Sequence, residues 1–200
     1  MQVQIRYYQK RNQKENIKRE FVFCFIYIIF RIINTIIKIF LKMKTKIIAA
    51  FPGMGKSAFS NHHPELCSDS DSSNFSWVKD EDGKNTKKRN PEFPQNYIDH
   101  IKDLIGNYEY VFVSSHKEVR EALEENCIFY YLVIPGIARK EEFIERYKNR
   151  NSPEGFIKFI EDNWTIWLDE CRELSVGRKI VVCDKKNLEY MANIIEFLEK

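Results

Sequence analysis

Residues 45–57 read Thr45-Lys46-Ile47-Ile48-Ala49-Ala50-Phe51-Pro52-Gly53-Met54-Gly55-Lys56-Ser57. Thr45–Phe51 is a short apolar run of the kind that is covered on both faces in a parallel sheet. Pro52, Gly53 and Gly55 then break the run, and Ser57–His62 opens a helix. An apolar strand passing through a glycine-rich turn into a helix is the first half of a βαβ unit.

The same alternation continues to the C-terminus. Glu65–Ser68 reads as a second short strand, and 78–92 (VKDEDGKNTKKRNPE) as a polar surface loop. Pro94 suits the first turn of a helix running to Ile105, with Tyr97, Ile98, Ile101 and Ile105 on one face and Gly106 as its stop. Tyr110–Ser114 is a strand, His116–Glu125 a helix, and Ile128–Ile134 a strand. Arg139–Arg150 is a helix ended by Ser152-Pro153. A longer helix reaches about Ser175, burying Trp164, Trp167, Leu168, Cys171 and Leu174, with Gly177 as its stop. Lys179–Cys183 is a fifth strand and Asn187–Glu199 the last helix. The expectation is an α/β fold: a five-stranded parallel sheet with helices on both faces, right-handed crossovers, and ligands beyond the carboxyl ends of the strands.

The chain has 200 residues, 44% of them hydrophobic and 30% charged, which suits one globular domain with an appendage and excludes a disordered chain. The net charge of +3 is unevenly distributed. Residues 1–42 hold nine Lys or Arg against two Glu, whereas 43–200 hold 23 basic and 27 acidic residues. The globular part is therefore mildly acidic, and no specific nucleic-acid binding is expected of it. The five cysteines contain no CxxC and the four histidines no HExxH. Neither a zinc site nor a disulfide framework is expected, and reduced thiols suit a cytoplasmic setting.

Residues 1–42 are a different kind of sequence, with ten isoleucines and no Gly, Ala, Pro, Asp, Ser or His. A basic arm, Arg6 to Glu20, precedes the run Phe21–Leu41, in which 17 of 21 residues are apolar. The run is long enough for a membrane helix, but Arg31, Asn34, Thr35 and Lys38 put a polar stripe on one face. The basic arm would also hold the N-terminus in the cytoplasm and send the remainder across. Three readings stand: a leader outside the working protein with Met43 as the natural start, a membrane anchor or interfacial helix through 21–41, or an apolar helix packed on the domain. The domains are accordingly 1–42 and 43–200.

Residues 50–57 match the phosphate-loop pattern GxxxxGK[ST] at Gly55, Lys56 and Ser57, with Ala50 in place of the first glycine. Gly53 and Gly55 allow backbone N–H groups to aim inward, Lys56 can reach β- and γ-phosphates, and the Ser57 hydroxyl can ligate Mg²⁺. The segment PGMGKS resembles the PGxGK loop of nucleoside-monophosphate kinases, the adenylate-kinase-like branch of P-loop proteins. From Met43 to Lys200 the chain is similar to small bacterial and phage P-loop kinase-like proteins. The resemblance implies a three-layer P-loop fold that binds ATP and Mg²⁺ through Pro52, Gly53, Met54, Gly55, Lys56, Ser57 and Ala58.

Three further stretches carry candidate chemistry. The loop Ser68–Trp77 (SDSDSSNFSW) follows the second strand, so it should reach the sheet edge that holds the phosphate loop. Asp69, and after it Asp71, can orient Mg²⁺ or accept a proton from an acceptor hydroxyl. Ser72 and Ser73 can bind phosphate or sugar, and Phe75 and Trp77 can stack on a base. The plain alternative is a solvated loop built from Asx and Ser turns. The third strand ends in Ser114-Ser115-His116 without the acid on which simple ATPases rely. His116 is expected to cap the next helix or, as the second choice, to face the cleft, and Lys117 and Arg120 are expected to be surface charges. Arg139, Arg146 and Arg150 fall within about 40° on one helical face at 100° per residue. They suit either a solvated face paired to Glu142 and Glu145 or, as the resemblance implies, a lid that neutralises the transferring phosphoryl group.

Taken together, the expected activity is an ATP- and Mg²⁺-dependent phosphotransferase acting on a nucleotide or nucleoside-like small acceptor. Its catalytic residues would be Lys56, Asp69, Arg139, Arg146 and Arg150, its acceptor side Asp71, Ser72, Ser73, Phe75 and Trp77, and its metal held by Ser57 and Asp69. The alternative is a P-loop ATPase or GTPase switch acting on a macromolecular partner.

Overall fold

The computed structural model describes residues 23, 25–37, 44–173, 175–184 and 190–200, in two units, Met1–Met43 and Lys44–Lys200. In the first unit residues 25–37 are helical, and Thr35 Oγ1 donates to the Arg31 carbonyl at 2.8 Å. Among the described residues no helix is long and apolar enough to cross a membrane. The basic arm before residue 23 and Lys38 lie outside the described residues.

In the second unit the first strand, β1 (Lys46–Ala50), leads through the glycine-rich turn into α1 (Lys56–His62). There follow β2 (Cys67–Asp69), the single turn α2 (Ser73–Ser76), β3 (Trp77–Lys79), β4 (Asn85–Arg89) and α3 (Gln95–Leu104). Next come β5 (Tyr110–Ser114), α4 (Lys117–Glu125), β6 (Tyr130–Pro135) and a 3₁₀ turn at Ile137–Arg139. The chain closes with α5 (Lys140–Asn149), α6 (Glu154–Arg172), β7 (Arg178–Cys183) and α7 (Met191–Leu198).

Five strands form one sheet in the order β2-β5-β1-β6-β7, and every pairing in it is parallel. The middle place goes to β1 because Ile47, Ile48, Ala49 and Ala50 are apolar and almost without exposed surface, a pattern that suits a strand paired on both edges. Its register runs Lys46 to Tyr110 through Ala50 to Ser114 on one side and Ile48 to Tyr131 on the other. The strand ends that follow, Ala50, Asp69 and Ser114, thus come out at one edge. Gly106 adopts φ +93° after α3, and its N–H donates to Thr45 Oγ1 at 2.9 Å, which locks the entry to β1.

The expected strands and helices are all present, with ends shifted by a few residues. One expectation is overturned. Residues 78–92 are not an open loop: β3 and β4 pair antiparallel as a separate two-stranded sheet. Asp80 builds the turn, its side chain accepting from the N–H groups of Asp82 and Lys84, and Gly83 supplies φ +75°. The hairpin buries little, so its strands show none of the apolar alternation by which strands are recognised. The α6 helix stops at Arg172, short of Gly177, because Glu173 is already extended. Leu174 and residues 185–189, where the last helix was expected to begin, lie outside the described residues.

An aromatic cluster joins the end of β1 to the helices. Phe51 meets Trp167, Trp164 and Phe143 at ring distances of 4.7, 5.5 and 6.2 Å. Trp164 Nε1 donates to the Ile137 carbonyl at 2.9 Å, so this ring satisfies its one polar atom while filling the core. Trp164→Ala is expected to lower unfolding free energy by about 3–5 kcal/mol, as for large aromatic truncations in cores, read from urea unfolding; a loss below about 1 kcal/mol would contradict this packing.

Candidate functional site

The carboxyl ends of β1, β2 and β5 surround a cavity of about 630 Å³, a size usual for small-molecule sites. Its floor is the turn between β1 and α1. Gly53 and Gly55 hold φ of +83° and +87°, conformations open to glycine at little cost. Gly55 caps α1 from this left-handed conformation. A Cβ at Gly53 would come within 3.0 Å of the Tyr147 ring, so glycine is required there twice over.

Lys56 begins α1 and turns back over the turn, its ammonium donating to the Ala50 carbonyl at 2.7 Å. Loss of hydration pushes its pKa down from 10.5 to about 8, opposed by the carboxylates of Asp69 and Asp71 and reinforced by Arg150. The next residue, Ser57, donates its hydroxyl to Asp69 Oδ2 at 2.5 Å. Asp69 is the last residue of β2 and pairs with Phe112, so sheet register delivers this carboxylate to the serine at the start of α1. Two adjacent oxygen ligands of this kind suit a hard cation such as Mg²⁺. Among the described residues no group of three His, Cys, Asp or Glu side chains gathers to hold a metal by itself.

One wall belongs to α5. Tyr147 donates its hydroxyl to the Pro52 carbonyl at 2.7 Å, and Arg146 donates to the Gly53 carbonyl at 3.2 Å, so this helix grips the turn from outside. Arg146 also pairs with Glu142 at 2.6 Å and lies over the Phe143 and Tyr190 rings. Arg150 lies 4.7 Å from the Tyr147 ring centre and donates to Ser152 Oγ at 2.7 Å. Both arginines line the cavity. Arg139 does not: its guanidinium is held by both oxygens of Glu142 and by the Cys183 carbonyl, and it is 91% buried. It ends the 3₁₀ turn that precedes α5, and its bond to the last residue of β7 anchors it there rather than in the cavity lining.

The opposite wall comes from β2 and β5 and holds Asp69, Ser70, Asp71, Ser114, Ser115 and His116. Asp71 Oδ1 accepts from the Ser73 N–H at 2.9 Å, forming an Asx turn that holds the carboxylate at the rim. Tyr97 braces this wall from below, donating to the Ser70 carbonyl at 2.6 Å and accepting from the Ser114 N–H at 3.3 Å. His116 starts α4 through its backbone without a side-chain cap, so the first of its two expected roles fails and the second, facing the cleft, is the one observed. Its ring instead stacks on Trp167 at 5.7 Å and lines the cavity. Lost hydration and the nearby Lys56 charge lower its pKa below the ordinary histidine value, with Asp71 opposing.

Of the residues expected at the site, Pro52, Gly53, Gly55, Lys56, Ser57, Ala58, Asp69, Asp71, Arg146 and Arg150 line the cavity together. Met54 is fully buried beneath the turn. Ser72 and Ser73 start α2 and do not line the cavity. Phe75 packs between Tyr97 and His100 at 5.1 and 4.7 Å, and Trp77 sits in the hairpin under Arg89, so neither ring offers a face to the cavity. Core packing explains Phe75 better than base stacking does, and the contact with Arg89 across the hairpin occupies Trp77. Tyr190, Ser114 and Ser115 line the cavity without having been singled out as binding residues. Tyr190 gave no signal because it was absorbed into the last helix. Arg120, expected at the surface, is 97% buried and donates to the Ser115 and Glu170 carbonyls at 3.1 and 3.2 Å, tying the end of β5 to α6. No protein-family model and no curated protein matches the chain.

Two outcomes are expected. Gly53→Ala combines a left-handed backbone, costing about 1–2 kcal/mol, with the approach to Tyr147; thermal melting should fall by several degrees, and an unchanged melting point would contradict the clamp. Between about pH 8 and 10 the unfolded chain binds the Lys56 proton more tightly than the folded one, so Lys56 makes stability rise with pH there. Lys56→Met should flatten that part of the stability profile; parallel wild-type and variant profiles would refute it.

Proposed function

We propose that the chain is an ATP-dependent phosphotransferase that moves the γ-phosphoryl group, with Mg²⁺, to a nucleotide or nucleoside-like small acceptor. The observation that carries the reading is the Ser57–Asp69 hydrogen bond of 2.5 Å, beside a lysine whose burial disfavours its own charge. A site that desolvates a cation while placing a carboxylate and a hydroxyl next to it is arranged for a ligand that brings phosphate oxygens and a metal ion.

The architecture supports the same reading. Right-handed crossovers over the order β2-β5-β1-β6-β7 would set α1 and α7 on one face and α3, α4 and α6 on the other, as a three-layer P-loop arrangement requires; the contacts of α1 with α7 and of α3 with α4 agree with this. Lys56 and the turn amides would hold the donor β- and γ-phosphates. Ser57 and Asp69 would hold Mg²⁺, which supplies charge neutralisation to the transferring group. Arg146 and Arg150 would cover the phosphates from α5, so the lid role is proposed for these two and not for Arg139. Strand β5 ends in Ser114 and Ser115 where a simple nucleotide hydrolase needs an acid, which favours transfer over hydrolysis. A cytoplasmic location would match the supply of ATP.

ADP release by the purified full chain with ATP and Mg²⁺ tests this. An acceptor-stimulated rate that falls at least about 100-fold in Lys56→Ala, and in proportion to lost Mg²⁺ dependence in Asp69→Asn, is expected for loss of transition-state charge stabilisation. A rate indifferent to every acceptor would replace the transferase by a hydrolase or switch.

A further inference from the structure

Ten of the thirteen residues in the helix 25–37 are large and apolar, and all ten are exposed, from 40% at Ile29 to 65% at Phe25. The other three are Arg31, Asn34 and Thr35. Single apolar side chains at a surface need no explanation, but a continuous face of them marks a surface that something covers.

The ten are not spread evenly around the helix. At 100° per residue, nine of them fall on one arc of about 200° bounded by Ile28 and Phe30. Asn34, Tyr27, Arg31 and Thr35 occupy an opposite arc of about 100°. Thr35 Oγ1 donates to the Arg31 carbonyl at 2.8 Å, so this hydroxyl is satisfied within the helix. Tyr27, with an apolar ring and a polar tip, suits a boundary between two media.

The width of the apolar arc selects what covers it. A partner helix covers a narrower stripe, since a coiled-coil seam uses about two positions in seven. A spanning pose fits poorly. The thirteen residues extend about 20 Å against about 30 Å of hydrocarbon, and Arg31, at their midpoint, would be carried to the centre of the bilayer. Among the described residues no helix is long and apolar enough to cross a membrane. A lipid surface meets both demands, because a helix lying in its plane sinks a broad apolar arc and leaves the polar arc among the headgroups. Charge selects the lipid. Residues 1–42 carry nine Lys or Arg against two Glu, and basic clusters beside an amphipathic helix are drawn to anionic headgroups. Residues 43–200, with 23 basic and 27 acidic residues, have the charge that such a surface repels, so the attraction belongs to the N-terminal segment.

We propose that the helix 25–37 lies in the plane of an anionic lipid surface, with Ile29 and Ile33 near the middle of its immersed face and Arg31 among the headgroups. Such an attachment stands whether or not the chain transfers phosphoryl groups. The helix crosses nothing, so the rest of the chain stays on the side from which it bound; a spanning helix behind the same basic arm would send it across.

The purified full chain is mixed with vesicles of phosphatidylcholine, with and without about three parts in ten phosphatidylserine, and bound protein is read by flotation. Binding to the anionic vesicles should be at least about 10-fold tighter, and should weaken several-fold as NaCl rises from about 0.1 to about 0.5 M, as screening requires. Ile29→Glu with Ile33→Glu should reduce that binding at least about 10-fold, because charge enters the immersed face. Ile29→Leu with Ile33→Leu should retain it, and an unchanged melting transition in both pairs shows that the rest of the chain is folded. External trypsin should cut the basic arm, between Arg6 and Arg19, as completely with sealed vesicles as with vesicles opened by detergent. An arm protected until the vesicles are opened means a spanning helix and overturns the proposal. Equal binding to neutral and anionic vesicles overturns it too, as does binding that survives the glutamate pair. So does an absence of binding to either vesicle, whether the chain then stays single or self-associates through this face.

Discussion

The burial of β1 between two parallel neighbours is the constraint on which the rest depends. A strand with no exposed surface and no free edge has one register open to it, and β5 and β6 are both read off it. Because all five strands run the same way, every residue that leaves a strand forward arrives at one edge. Asp69, twelve residues from Ser57 in the chain, becomes its hydrogen-bond partner by this route. The cavity is therefore a consequence of sheet order rather than of any local motif.

The turn that floors the cavity is held from two directions. From inside, Phe51 anchors it in the aromatic cluster with Trp164 and Trp167. From outside, Tyr147 and Arg146 bind the carbonyls of Pro52 and Gly53. A turn with two left-handed glycines loses much backbone freedom on ordering, and these contacts offset that cost. The same helix presents Arg146 and Arg150 to the cavity, so α5 couples the rigidity of the turn to the positive charge beside it. Glu142 draws Arg139 and Arg146 together, and their guanidinium groups in turn hold its own carboxyl below the usual range.

Lys56 and His116 carry a common message. Both lose hydration in the cavity walls, and both have lowered pKa values, with Asp71 opposing the shift in each case. The carboxylates thus compensate for burial of the cationic groups, and the balance of charge across the cavity is set by β2 on one side and α5 on the other. Arg120, buried behind β5, extends this to the scaffold by tethering the Ser115 carbonyl to α6.

The alternation of apolar runs with amphipathic helices was enough to read the α/β class, the five parallel strands and the glycine-rich turn with Lys56 and Ser57, since these depend on local periodicity and on residues adjacent in the chain. The sequence also placed Asp69 and Asp71 at the right strand end. It could not read the β3–β4 hairpin, whose small exposed sheet imposes no apolar pattern. Nor could it separate Arg139 from Arg146 and Arg150, because helical spacing is blind to the Cys183 carbonyl, 44 residues away, that anchors the first. The roles of Phe75, Trp77, His116 and Tyr190 depended on which neighbours the fold supplied, and an aromatic ring fills a core or lines a cavity with the same chemistry. What residues do within a few positions of one another was determined by the sequence alone. Which side chains share a cavity across tens of residues was decided by strand order, because only the packed sheet brings those ends to a common edge.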